Sequence, residues 1–373
     1  MKKKVLHVVG AMNMGGTETM LMNLYRRLYK DIQFDFVSYS NNEGYYDNEI
    51  KELGGRVIRL ELPQKTGGIK TIKNLISVIK KFGPYEAIHA HTLFNCGIAV
   101  IAGYICGIKV RISHAHTTAQ NSSNIIKKVY ICLMQIIIKV FSTDYLACSI
   151  KSGRYLFGKR IIKNNKLKII PNYVEYSEII NYNNTDKIRM ELGIREGEIL
   201  IGHIGRFVIP KNHKFLVNLL PYILKINDKV RLILVGDGYL RSEVEGMCKE
   251  LGITDKVYFL GVRSDIKVII NNLDLFIFPS IYEGLGLVLL EAQAGGIPCL
   301  VSEAIQPEAD LGIGLVKQIK LDDGIDKWAD EALKLIGKKN NNKEAIEEAF
   351  KAKGYEIEDI VNTLLDVYKI NIN

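Results

Sequence analysis

Several things are scarce in this 373-residue sequence, and each scarcity excludes something. It has one tryptophan, eight prolines and six cysteines. The cysteines (Cys96, Cys106, Cys132, Cys148, Cys248 and Cys299) form no C-x-x-C pair and no metal-ligand spacing, which argues against a disulfide scaffold or a zinc ribbon. They read as core thiols. No apolar run reaches the roughly 18 residues that a spanning helix needs. The start, "MKKKVLHVVG", imitates a signal peptide, but its apolar run Val5–Val9 is interrupted by His7 and ends at Gly10. That reads as a first β-strand and predicts a cytoplasmic protein. Low complexity is confined to the short "KKNNNK" run.

What is present is a globular composition, 47% hydrophobic and 24% charged, in a chain long enough for about two domains. The net charge of +9 is unevenly spread. Residues 1–170 hold 26 Lys and Arg against 10 Asp and Glu, whereas the remainder holds 24 against 31. A basic first half favours an anionic partner such as a membrane surface, a phosphorylated lipid or nucleic acid.

Short apolar segments alternate with helix-periodic ones along the whole chain, the pattern of α/β units on a largely parallel sheet. The first half offers strands at Val5–Val9, Phe34–Ser38, Val57–Leu60, Ala87–Ala90, Val110–Ser113, Tyr145–Ser149 and Lys168–Ile170. The second offers Leu200–Ile204, Arg231–Val235, Val257–Leu260, Leu275–Pro279 and Cys299–Ser302. Helical patterns run over Thr17–Tyr29, Lys70–Phe82, Lys211–Ile226 and Leu285–Ala294. The asparagine-rich "EIINYNNTDK" reads as a loop, so the boundary should follow "IIPNYVE". The expected domains are residues 1–175, residues 176–353, and a helix in 354–373 that returns to the first domain.

Three glycine-containing turns follow strands. "GAMNMGGTE" has P-loop spacing, yet Gly16 and Thr17 stand where a P-loop has Lys and Ser/Thr, and it is not G-x-G-x-x-G. Gly15 and Gly16 still allow amides at a helix start to approach an anion, or they simply make a tight turn. "GHIGRFVIPKNH" places Arg206 and Lys211 on one loop, where two cations can converge on a diphosphate. "LVGDGYL" puts Gly236 at the sheet edge where such folds bind ligands.

The most informative stretch is "SIYEGLGLVLLEAQAGGIP". Glu283 falls in a loop after a strand, and Glu291 on the helix beyond it. Eight residues at about 1.5 Å each span at most about 12 Å, comparable to the reach from a sugar across a diphosphate to a ribose. Amides at Gly284, Leu285 and Gly286 lie between, at a helix start whose dipole favours phosphate. The plain alternative, an N-terminal helix charge plus a surface charge, fits poorly because Glu291 is flanked by Leu290, Ala292 and Ala294.

With "EGLGLVLLE" the chain resembles the retaining glycosyltransferases of family 4, whose E-x7-E motif it matches; "GGTE", "IIPN", "GR…K" and "VGDG" extend the resemblance over nearly the whole chain. The resemblance implies a GT-B fold, two Rossmann-like domains facing each other across a cleft. It implies a nucleotide-sugar donor, a UDP-sugar by expectation, held by the second domain and an acceptor on the first. By position, Glu283 would contact donor-sugar hydroxyls and Glu291 the ribose. Arg206 and Lys211 would hold the diphosphate, helped by Gly15 and Gly16, and Val262 or Arg263 would meet the base through backbone. His116, in "HAHTTA", would face the donor sugar. Tyr173 stands where the family's hinge usually has glycine.

The histidines His89 and His91 alternate at strand spacing and read as structural or acceptor-side; a two-histidine metal site is the alternative, but no clear Asp or Glu partner accompanies them at ligand spacing. No Asp-x-Asp occurs, so no metal and no cofactor beyond the nucleotide-sugar is expected. Glu283 and Glu291 look too far apart for a double displacement, which needs carboxylates about 5–5.5 Å apart. The expected chemistry is therefore same-face departure and attack with retention, Arg206 and Lys211 neutralising the leaving diphosphate. The expected acceptor is a cell-surface glycan or lipid-linked glycan, met on the inner face of an anionic membrane. "NIIKKVYICLMQIIIKVF" (residues 124–141) is apolar enough to touch lipid, or it is a buried helix with lysines at its rim. Rival readings are a nucleotide-sugar epimerase of the same fold and a non-catalytic glycan-assembly subunit. Nucleic-acid binding is disfavoured, because aromatics and cations are not interleaved.

Overall fold

The computed structural model describes residues 2–117, 125–170, 173–183 and 186–371, with the Lys127 side chain left out. Pro171 and Asn172 of the expected hinge, and Thr118–Asn124, lie outside the described residues. The chain divides into two compact units: Met1–Tyr173 with Gly354–Asn373, and Val174–Lys353.

Unit 1 is built on seven parallel strands: β1 (Lys3–Val9), β2 (Ile32–Ser38), β3 (Arg56–Arg59), β4 (Ala87–Ala90), β5 (Val110–Ala115), β6 (Asp144–Ala147) and β7 (Leu167–Ile169). Their order is β3-β2-β1-β4-β5-β6-β7. Val5, Leu6, Val8 and Val9 of β1 are all buried, as expected of a central parallel strand covered by helices on both faces. The helix Ile357–Tyr368 belongs to this unit. Its buried residues Ile357, Ile360, Leu364 and Val367 recur at three- and four-residue spacing and join the core containing Leu24 and Phe34.

Unit 2 carries six parallel strands: β8 (Ile199–Ile204), β9 (Val230–Val235), β10 (Val257–Gly261), β11 (Leu275–Phe278), β12 (Cys299–Ser302) and β13 (Val316–Ile319). The order is β10-β9-β8-β11-β12-β13. Progress along the sheet reverses between β8 and β11, and between β1 and β4 in unit 1. At such switch points the connections leave toward opposite faces and a crevice opens beyond the carboxyl ends of the strands.

Four details differ from the sequence expectation. β13 was not anticipated, because "VKQI" has only two apolar residues; it is an edge strand with Lys317 and Gln318 exposed. The helix expected over Lys211–Ile226 begins at His213, because Asn212 is left-handed (φ 57°) and Ile209–Lys211 forms a short 3₁₀ turn. The helix expected from Leu285 begins at Leu287. Gly286 precedes it at φ 91° with the Phe278 ring against it, so a side chain there would be strained and crowded. Part of the expected loop "EIINYNNTDK" is helical, within Tyr176–Ile180.

Candidate active site

The unit 2 site is assembled at the carboxyl ends of β8, β9, β10 and β11. The loop after β8 and the loop after β11 straddle the switch point and are bonded together. The Ile281 N–H donates to the Pro210 carbonyl (2.8 Å) and the Asn212 side-chain amide donates to the Pro279 carbonyl (3.0 Å). Above these bonds, Lys211 Nζ lies 2.6 Å from Glu283 Oε1. The same carboxylate oxygen accepts from Ser280 Oγ at 2.8 Å, and the Lys211 ammonium sits 4.8 Å from the centre of the Phe278 ring. Both side chains of the pair are mostly buried, 21% and 12% exposed. Arg206, on the same loop as Lys211, is exposed and pairs with no carboxylate among the described residues.

The glycine loop after β9 is fixed against the Arg206 loop by backbone alone. Gly205 N–H donates to Val235 O, Phe207 N–H to Asp237 O, and Leu240 N–H to Phe207 O. Gly236 has φ 128°, and a Cβ on it would collide with the Gly205 carbonyl, so only glycine fits. After β10, Val262 is exposed. The Arg263 side chain is occupied by Asp265 (2.8 Å) and by both oxygens of Glu191 (2.6 and 3.1 Å), leaving only backbone there for a ligand.

Glu291 sits on the helix Leu287–Ala294, with Leu290 and Ala292 buried on either side. Its neighbour Gln293 is buried and satisfied: it donates to Leu289 O and Ala309 O and accepts from the Leu311 N–H. Among the described residues nothing donates to the Glu291 carboxylate. Loss of solvent without a compensating donor pushes its pKa up to about 7. A partly buried carboxylate that lacks donors is suited to accept hydroxyl hydrogen bonds from a ligand.

In unit 1 the helix Gly16–Leu28 starts after Gly15, and the Glu18 carboxylate folds back over Gly15. The first turn therefore already carries an acidic group of its own. His116 lies just past β5, partly exposed, and Nε2 stands 2.9 Å from His91 Nδ1. Burial holds His89, His91 and His114 well below the usual histidine range and His7 at about 3. Sequence reasoning found His116, His89 and His91 but gave His7 no role. It also missed Ser280 and Asn212, which carry no motif and act only through the meeting of two loops.

Two families describe this chain between them: "Glycosyltransferase Family 4" matches residues 14–178 and "Glycosyl transferases group 1" matches residues 184–352. EpsF of Bacillus subtilis, named as a glycosyltransferase, is 35% identical over 373 residues, covering 99% of this chain and 97% of that protein. An Escherichia coli enzyme named UDP-Gal:α-D-GlcNAc-diphosphoundecaprenol α-1,3-galactosyltransferase is 25% identical over 81% of this chain and 79% of its own. Among solved structures, Anabaena HepE in complex with UDP and glucose superposes with a TM-score of 0.78 at 18% identity, covering 98% of this chain and 99% of its own. Two parallel-sheet units of this topology are those of a GT-B glycosyltransferase. The chain belongs to the family 4 glycosyltransferases.

Proposed function

We propose that this glycosyltransferase moves a sugar from a UDP-sugar, with retention and without a metal ion, to a glycan or lipid-linked acceptor in cell-surface polysaccharide synthesis. The observation that carries the reading is the ion pair of Lys211 and Glu283 across the β8–β11 switch point, with Glu291 on the helix that follows receiving no hydrogen bond among the described residues. Arg206 and Lys211 stabilise charge on the departing diphosphate, Glu283 holds the donor sugar and Glu291 the ribose. The backbone at Gly236, Val262, Arg263 and Gly284–Gly286 completes the donor site. Fixed cations and amide dipoles act without reorganisation, which is how such a site lowers a barrier in the absence of a metal. In unit 1, His116 and the amides at Gly15 and Gly16 are the residues that the family resemblance assigns to the donor. Support for UDP comes from HepE, solved with UDP and with UDP-glucose, and from the E. coli relative, whose name gives UDP-Gal as donor and a diphosphoundecaprenol-linked sugar as acceptor.

Unit 1 also presents a surface suited to an anionic bilayer. In the helix Ile125–Phe141, Ile126, Val129, Leu133, Ile136 and Val140 recur at alternating three- and four-residue spacing and are all exposed. Lys128 and Lys139 are exposed on the same helix, and no helix among the described residues is long and apolar enough to cross a membrane. An apolar stripe rimmed by lysines is the chemistry of an interfacial helix. Incubation with a panel of nucleotide-sugars, following nucleotide release with and without membrane extract, tests the whole reading. Release from a UDP-sugar that rises sharply with extract is expected. Epimerised sugar without acceptor-linked product would favour the epimerase reading, and no turnover of any donor the non-catalytic one.

A further inference from the structure

The sequence has seven histidines, and five of them meet in unit 1. Two come from each copy of the tetrapeptide "HAHT", at His89–Thr92 and His114–Thr117, which leave the adjacent strands β4 and β5; His7 comes from β1. Side chains two apart on a strand share a face. The repeat therefore lays four imidazoles on one side of the sheet at its carboxyl edge. Rings of His114 and His116 have centroids 4.0 Å apart, His91 and His116 5.1 Å, and His91 and His114 5.4 Å.

The bonding within this cluster is ordered in two tiers. His91 uses Nε2 toward His7 Nδ1 (3.1 Å) and turns Nδ1 toward His116 Nε2 (2.9 Å). His114 uses Nδ1 toward His89 Nε2 (3.2 Å), and His89 in turn meets the Tyr368 hydroxyl through Nδ1 (2.8 Å). That leaves His114 Nε2 buried with no hydrogen-bond partner among the described residues. One ring nitrogen from each of His91, His114 and His116 lies within 4.8 Å of the other two. No acidic side chain bonds to His7, His89, His91 or His114 among the described residues, so the imidazoles have no counter-charge that would favour their protonated form.

We propose that His91, His114 and His116 form a binding site for one borderline divalent cation of the zinc class, with His7 and His89 as its outer partners. A tetrahedral zinc with bonds of about 2.0–2.1 Å sets its ligand nitrogens roughly 3.3 Å apart, close to the 2.9 Å that already separates His91 Nδ1 from His116 Nε2. The ion replaces the shared proton between those two rings and engages the orphaned nitrogen of His114. The ring nitrogens of His91 and His114 that point away from it are held by His7 and by His89, and Tyr368 holds His89. Metal-ligating histidines are usually oriented in this way through their second nitrogen. His91 and His116 are partly exposed, which gives the ion an entrance and leaves a coordination position for water. A ligand set of three imidazoles selects zinc, cobalt or nickel over magnesium or calcium. The Tyr368 link ties the state of the site to the helix Ile357–Tyr368.

The test uses the full-length, tag-free protein, stripped with chelator and desalted. Titration with Co²⁺ should produce the strong visible bands of a tetrahedral nitrogen site, saturating at one ion per chain and displaced by Zn²⁺. X-ray absorption of the Zn²⁺-loaded wild-type protein should show an imidazole shell at about 2.0–2.1 Å. This measurement does not depend on any variant folding. His7→Gln, an outer substitution, should weaken Zn²⁺ binding about 10–100-fold, and His91→Gln/His114→Gln should abolish saturable binding while the far-ultraviolet spectrum is kept. A sulfur or carboxylate shell on zinc, weak binding without saturation, or one-to-one binding that survives the double substitution would overturn the proposal.

Discussion

Lys211 Nζ lies 2.6 Å from Glu283 Oε1, joining the loop after β8 to the loop after β11 across the switch point of the unit 2 sheet. The two residues are 72 positions apart, and two further bonds between the same loops fix the pair in place. An ammonium held this way does not reorganise when negative charge grows on a leaving group.

Lys211→Ala should therefore act on the chemical step. With saturating donor, kcat should fall by about 10²–10³, the roughly 2.7–4 kcal/mol of losing one preorganised donor to a developing anion. Steady-state kinetics with UDP-sugar and acceptor make the check. Turnover at the wild-type rate would remove Lys211 from the leaving-group role.

Glu291 gives a pH dependence with a definite sign. Its pKa is raised to about 7 from an ordinary 4.5, so between those values the folded protein holds a proton that the unfolded chain has released. Stability from this group is full below pH 4.5 and is lost as pH rises through 7. Under the role proposed for Glu291, donor binding runs the other way, because ribose hydroxyls would donate to the ionised carboxylate. The affinity for UDP-glucose, whose diphosphate stays ionised, should rise as pH increases from about 5.5 to about 8.5 and level off above 7. Calorimetric titration of Glu291→Gln should give weaker binding and a flat profile in that range. A profile unchanged by the substitution would show that Glu291 does not titrate against the donor.

Gly236 tests the backbone side of the site. Its φ of 128° and its closeness to the Gly205 carbonyl leave no room for a methyl group. Gly236→Ala should lower stability by about 1–3 kcal/mol and raise the donor KM by shifting the Arg206 loop. Denaturant unfolding and donor titration measure the two effects; wild-type values in both would mean the loops do not depend on each other.

Twelve of the thirteen strands could be read from the sequence because central parallel strands are short, apolar and bounded by turn residues. β13 could not, since an edge strand with exposed Lys317 needs little apolar character. Glu283 and Glu291 stood out because each is a charge in an apolar setting, which periodicity alone exposes. The Lys211–Glu283 contact did not, because it depends on strand order, and β9 and β10 separate its two loops in sequence. The histidine cluster was half legible: alternation put His89 with His91, and the resemblance singled out His116. Only the adjacency of β1, β4 and β5 brings His7 to them, and only the docking of the last helix adds Tyr368.

The helix Ile125–Phe141 carries its apolar stripe outward, with Val129, Leu133, Ile136 and Val140 exposed. On vesicles of anionic lipid the protein should co-sediment, and binding should weaken with added salt, each lysine near the surface contributing about 1 kcal/mol. Val129→Asp/Leu133→Asp should release it without changing donor affinity. Sedimentation that ignores both lipid charge and salt would argue against a bilayer as the occupant of this face.

Metal removal separates electrostatic catalysis by the protein from catalysis by an ion. A divalent cation would act at the donor diphosphate as a Lewis acid, polarising the leaving oxygen. On the proposed reading that position in unit 2 is taken by Arg206, exposed and without a carboxylate partner among the described residues, by Lys211, and by the start of the helix Leu287–Ala294. The initial rate with purified enzyme, UDP-sugar and native acceptor should stay within about twofold after excess EDTA and desalting, well under the tenfold that 1.36 kcal/mol would make. Chelation also empties the three-histidine site, so an unchanged rate places that ion outside the transfer step. Loss of nearly all activity, restored by Mg²⁺ or Mn²⁺, would falsify the assignment of the leaving group to Arg206 and Lys211. Restoration by Zn²⁺ alone would instead put His91, His114 and His116 at the centre of the reaction.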